Sequence, residues 1–374
     1  MERNNSELLV HIVLRQTNLE EISHYIYAFV FPVVFLFGII GNVLSSLTFT
    51  ITKLKKTSCG FYFLVLAIAD TTALIGGLHH CLTIGYHVPV PNATYCRVRN
   101  FFLYTSMDIT SWMIVAISVD RYLKVKYPIS ARVYATRRLS IIVSCIIIVI
   151  FILKNFHLAT IFIGDFTEDA ADNCDPNPNY PAYVKFYKNI WPWLDLITYA
   201  LLPFVIVAIS NGLIIRDQYK RRYKYRKRDL DISLISLLLV SSISFIVCNI
   251  PITILAAIYP YISSSFDSKA NYDAVAFIFD LFRIPSYGAF GFNFYLYYYN
   301  SAIFRQQAMQ LFKRVCMNQN RMNEFELPHI IYNNQNPFDH RMHSIEELDE
   351  DTKSSGVVLN NRNSFISNFY RQNS

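Results

Sequence analysis

Asp108 and Lys154 interrupt two of several long apolar stretches, and four more ionisable residues stand in such stretches: Asp70, Asp195, Asp280 and Arg283. A charge in such surroundings is costly, so each calls for a partner or a function. Asp280 and Arg283 lie three residues apart, on one helical face, and can neutralise each other. Asp195 has no basic neighbour within its own apolar stretch, which makes it the better-placed anchor for a cationic group. Catalytic patterns do not accompany these charges. No HExxH, P-loop, GxSxG or CxxC occurs, and the adjacent His79 and His80 lack further partners. The residues point to binding and switching, and no enzyme is expected.

The elements that carry them follow from composition. The chain has 374 residues, 53% hydrophobic and only 16% charged, against about a quarter charged in soluble domains. Residues 22–52, 196–215 and 232–266 contain no Asp, Glu, Lys or Arg, and each run reaches or exceeds the roughly 20 residues that cross a bilayer as a helix. This excludes a soluble enzyme, a disulfide-stapled secreted domain and a disordered protein. Seven apolar segments emerge, near 24–50, 61–84, 98–121, 139–163, 190–215, 231–259 and 272–299. They are apolar nearly all round, as lipid-facing helices are. The expected fold is an all-α membrane protein, a seven-helix transmembrane bundle over residues 24–315. An extracellular N-terminus (1–23) precedes it, and a polar, Asn-rich, disordered cytoplasmic tail (316–374) follows.

Lys and Arg sort between the connectors. The set 52–60, 121–138, 216–231 and 305–314 holds 20, and the alternate set holds seven. The positive-inside rule places the first set in the cytoplasm of a multi-pass plasma-membrane protein. The net charge of +7 is then a topology signal, and nucleic acid is not an expected partner. No cleavable signal peptide is evident, so the first span is expected to act as signal-anchor. Sequons at Asn4 and Asn92 fall outside. Among the seven cysteines only Cys96 and Cys174 sit in outer connectors, so they are expected to bridge. Residues 301–315 show helical apolar spacing between basic residues, which predicts a short amphipathic helix on the inner surface. Cys316 at its end is a palmitoylation candidate, with a plain thiol the alternative. No internal repeat is found, and intramembrane charges are too scattered for a transporter's polar route.

The ordered motifs resemble the rhodopsin-like (class A) G-protein-coupled receptors. They are Gly41-Asn42-Val43, Leu66-Ala67-Ile68-Ala69-Asp70, Cys96, Asp120-Arg121-Tyr122, Pro203, Phe245 to Pro251, Asn293 to Tyr297, and Phe304. The resemblance implies coupling to a heterotrimeric G protein, with a kinase and arrestin at the tail. Asp120, Arg121, Tyr122 and Tyr297 are its switch residues, and Arg121 pairs with Asp231. It also implies a polar cluster of Asp70, Asn42, Thr110 and Asn293. A sodium ion at Asp70 and a purely hydrogen-bonded Asp70 are the two alternatives there. Departures fall on the activation machinery: Phe294 replaces the Pro after the seventh-span Asn, Asn249 replaces the sixth-span Trp, and Asn211 replaces the fifth-span Tyr.

The seventh segment has no Lys for a retinal Schiff base, and Leu103 stands where amine receptors carry Asp. The outer connectors hold 11 acidic against seven basic residues, a vestibule that concentrates a basic ligand. The expected ligand is therefore an extracellular peptide with a basic or amidated end, as for the invertebrate neuropeptide receptors that the chain resembles. It would be bound by Asp195, Arg283, Asp280, Tyr104, His80 and Trp191. The alternatives are a small molecule or lipid ligand, or a seven-span transporter.

Overall fold

The computed structural model describes residues 19–164, 174–225, 232–263 and 269–316. Asn4, Asp231 and the tail beyond Cys316 lie outside them. The described chain is helical, and its long helices are α1 (Leu19–Ile51), α2 (Ser58–Gly85), α3 (Ala93–Lys126), α4 (Arg137–Ala159) and α5 (Trp191–Lys220). α6 (Ile232–Ser263) follows, then α7 (Lys269–Gly291, continued by Asn293–Asn300) and the short α8 (Ala302–Cys316). Six of these are long and apolar enough to cross a membrane, and the bent α7 makes a seventh. The protein is a seven-helix membrane bundle with an amphipathic eighth helix.

Polar side chains set the helix starts. Thr57, Asn92 and Thr136 accept hydrogen bonds from the backbone N–H of Gly60, Tyr95 and Leu139, which satisfies otherwise orphaned donors. α3 is the most buried of these spans and α4 the least. Large apolar side chains on the outer faces remain exposed, as in the row Leu36, Ile40, Val43, Leu47 and Ile51 of α1, which is what contact with lipid requires. α1 and α7 approach so closely that a Cβ on Gly291 would meet Gly38 Cα at 2.8 Å.

Two irregularities aim the functional side chains. A π-helical turn, Leu196–Leu201, follows Asp195 in α5. Its wider turn changes the phase of the helix between Asp195 and the residues below. α7 contains Pro285 and bends by 53° between its two parts, although Phe294 stands in place of the family's Pro. The break sits at Phe292, just before Asn293.

One end of the bundle is closed by the Cys96–Cys174 disulfide, with Cα atoms 5.2 Å apart. It ties the described part of the α4–α5 connector to α3. Arg97 Nε donates to the Ile163 carbonyl at 2.9 Å, and the Gly164 N–H to the Asp175 carbonyl at 2.9 Å. Leu158, Ile163, Val90 and Trp191 form a second small core there.

Candidate functional site

A cavity of about 550 Å³ opens among α2, α3, α5, α6 and α7 at the disulfide end. His80, Tyr104, Trp191, Asp195 and Arg283 all line it, so the structure brings together five of the six expected ligand residues. The sixth, Asp280, does not line it. Asp280 accepts from Arg283 Nη1 at 2.8 Å and from the Tyr27 hydroxyl at 3.1 Å, which fixes it between α1 and α7.

The expectation that Asp195 lacks a basic partner holds only within its own helix. Lys154 of α4 reaches it at 2.9 Å and also bonds both carboxylate oxygens of Asp108 at 2.9–3.0 Å. Asn155 Nδ2 adds a bond to Asp108 at 2.8 Å. Lys154 Nζ also lies 5.0 Å from the centroid of the Trp191 ring, within cation–π range. One ammonium thus serves two carboxylates, and only Asp195 of the two borders the cavity.

Another part of the lining is positive. Arg99 Nη2 donates to His80 Nε2 at 3.0 Å, Nη1 to Asn100 Oδ1 at 2.7 Å, and Nε to the Gly76 carbonyl at 3.1 Å. All three partners are uncharged acceptors, and no carboxylate among the described residues pairs with Arg99. The buried indole N–H of Trp191, a residue that lines the same cavity, has no partner among the described residues.

Beneath the cavity lies a layer without ion pairs among the described residues. Asn249 Oδ1 accepts from the Tyr199 hydroxyl at 2.7 Å and from Ser286 Oγ at 2.6 Å, which joins α5, α6 and α7. Its amide donates to the Phe245 carbonyl at 2.8 Å. Asp70 accepts from Thr110 and Asn293, each at 2.7 Å. Asn42 does not reach Asp70 in this network: its amide donates to the Phe290 carbonyl at 3.0 Å. Each Asp70 oxygen accepts one side-chain hydrogen bond, and Ala289 and Phe290 present no oxygen side chains beside it.

At the opposite end Asp120 turns toward α2. It accepts from Ser58 Oγ at 2.9 Å and Cys59 Sγ at 2.8 Å and pairs with Lys124 at 2.7 Å. Tyr122 accepts from Lys126 Nζ at 2.7 Å. Arg121 lines a cleft with Lys124, Tyr297 and Phe304, and Tyr297 packs edge-on against Phe63, with ring centroids 4.8 Å apart. The expected partner of Arg121, Asp231, lies outside the described residues. So do the Cys316 side chain and Asn4, whereas Asn92 is exposed at the start of α3.

Residues 41–287 match the rhodopsin family of seven-transmembrane receptors. The chain belongs to that family. It is a class A G-protein-coupled receptor, which implies an extracellular ligand and a G protein. It is 27% identical over 263 residues to G-protein coupled receptor 65 of Homo sapiens, which covers 66% of this chain and 74% of that one. Lysophosphatidic acid receptor 6 of Gallus gallus is 22% identical over 249 residues, covering 64% and 78%. Galanin receptor 2b of Danio rerio is 25% identical over 201 residues, about half of each chain (52% and 49%).

Sequence reasoning missed three parts of this receptor's site. Arg99 read as a connector charge. Asp108 and Lys154 read as interruptions of their spans, although an isolated intramembrane charge is itself a signal. Asp108 also follows Tyr104 by four residues, one turn deeper on the same face. Asn249 read as a departure from the family, and only the structure shows the two hydroxyls that meet it.

Proposed function

We propose that this receptor lies in the plasma membrane with its disulfide end outside, and that it binds a peptide end carrying both signs of charge. The orientation rests on the excess of Lys and Arg in the opposite connectors, 20 against seven. The ligand reading rests on one observation, the two-signed cavity. Of the residues lining the cavity, Arg99 has only uncharged partners among the described residues, and Asp195 shares a single lysine with Asp108. A basic ligand side chain would take up the uncompensated negative charge at Asp195. A terminal carboxylate would meet Arg99 and Arg283. This sharpens the expected basic or amidated end. A free carboxylate suits a guanidinium better than an amide does, because it brings the opposite charge and can accept two parallel N–H bonds.

A lipid is the second reading. The cavity also presents Leu103, Met107, Ile252, Phe279 and Phe290, and an anionic head group could use Arg99 alone. The relatives' names include both a lysophosphatidic acid receptor and a galanin receptor and do not choose between these readings.

The test is a calcium and cAMP readout in cells expressing the receptor. Peptides ending in Arg with a free acid, the same peptides amidated, and lysophosphatidic acid are compared on Arg99→Gln and Asp195→Asn variants. The free-acid peptides should activate best and lose potency on both variants. Activation by lysophosphatidic acid alone, unaffected by Asp195→Asn, would establish the lipid reading instead.

A further inference from the structure

The connector between α1 and α2 is a single 3₁₀ turn, Lys53–Lys56. Its one apolar residue, Leu54, packs against the main core, while Lys53, Lys55 and Lys56 are exposed. Thr52 Oγ1 accepts from the Leu54 N–H at 3.3 Å, and the Thr57 hydroxyl donates to the Leu54 carbonyl at 2.8 Å. The turn is therefore fixed at both sides. Facing it is α8, anchored by the buried Phe304, Ala308 and Leu311. Between turn and helix lies a cavity of about 150 Å³, lined by the three lysines, Gln307, Gln310 and the end of α1.

The chemistry of this cavity is one-sided. Three ammonium groups and two amide side chains offer donors, and no carboxylate among the described residues pairs with any of the lysines. A compact anion of more than one charge is the complementary ligand. Its position identifies the source. The cavity includes Ile51, the last residue of the exposed apolar row on α1, so acyl chains lying along that row would deliver a head group to the lysines. Juxtamembrane bases attract anionic lipids of the cytoplasmic leaflet, and α8 lies where an amphipathic helix meets the head-group layer.

We propose that the Lys53–Lys56 turn and α8 form a binding site for the phosphorylated head group of an anionic phospholipid. The site shares the orientation proposed above but not the ligand reading, and its test uses purified receptor, independent of orientation in cells. Receptor is reconstituted in phosphatidylcholine nanodiscs with a fluorescent phosphatidylinositol 4,5-bisphosphate, and binding is compared with the combined variant Lys53→Gln, Lys55→Gln, Lys56→Gln. Three lysines correspond to on the order of a hundredfold in binding.

A second variant, Gln307→Ala with Gln310→Ala, keeps every charge and should weaken binding several-fold. An equal affinity of wild type and the lysine variant overturns the proposal. So does an unchanged affinity of the glutamine variant, which would reduce the site to diffuse attraction. Soluble inositol trisphosphate should compete only weakly. Competition as strong as by the lipid would overturn the membrane source and leave a site for a free phosphate. Unaltered thermal unfolding of both variants shows that each is folded.

Discussion

Two layers of the bundle hold their buried polar groups by different means, with the Asp120–Lys124 pair lying below both. Toward the disulfide end the polar groups are ions: Asp108, Lys154 and Asp195 in one group, Asp280 and Arg283 in another. In the layer below, at Asn249, Asp70, Tyr199 and Ser286, the bonds run between hydroxyls, amides and one carboxylate with no cation. Ion groups in low dielectric are rigid because parting them strands a charge. Neutral hydrogen bonds can be exchanged at roughly 1 kcal/mol each. The charged layer is thus suited to holding a binding geometry, and the neutral layer to changing between conformations. Three family motif positions are altered in this receptor, and Asn249 answers its alteration with a hydrogen-bonded junction of three helices.

The strongest ways to break this contrast act toward the disulfide end. Cys96→Ala removes a crosslink between residues 78 apart in sequence, worth roughly 4 kcal/mol in chain entropy. Surface expression should fall to a small fraction of wild type, and normal ligand binding by the variant would refute a structural role for the bridge. Lys154→Met leaves two carboxylates unpaired and should cost about 3–5 kcal/mol. Adding Asp108→Asn and Asp195→Asn should restore much of the thermal stability, because the stranded charges go with the lysine. Lack of rescue would show that Lys154 acts mainly through packing on Trp191. Arg283→Gln should cost less, about 1.5–3 kcal/mol, because Asp280 keeps the Tyr27 hydroxyl. The readout is unfolding temperature in detergent.

The same contrast explains what was legible in the sequence. The spans, their number and the disulfide partners follow from long apolar runs and from which thiols face outward, properties that do not depend on helix rotation. Thr110 and Asn293 around Asp70 also follow, since each lies at a fixed depth on its own helix. Ion partners do not, because they depend on how helices turn toward each other. Lys154 meets Asp108 and Asp195 across three helices, and a π-helical turn directly follows Asp195. Asp120 was read with Arg121 and Asp231, yet its described partners are Ser58, Cys59 and Lys124. A short side chain near a helix end takes whichever donors the facing helix presents, and nothing in the local sequence names that helix.

The smallest effect tests the neutral layer and is the most informative about it. Asn249 Oδ1 has two lone pairs and accepts from two hydroxyls, those of Tyr199 and Ser286. Tyr199→Phe or Ser286→Ala alone leaves that oxygen with one donor, so each should cost the described conformation only about 1 kcal/mol. The double variant orphans a buried carbonyl oxygen, whose desolvation then adds to the loss. A double-mutant cycle on unfolding temperature should therefore show a deficit larger than the sum of the single effects, by about 1 kcal/mol. Basal signalling should shift with it, since a conformation weakened by this amount changes its population several-fold. Strict additivity would mean that the two hydroxyls do not share the oxygen. A single variant costing as much as Lys154→Met would erase the difference between the layers, since the neutral layer would then be as rigid as the charged one.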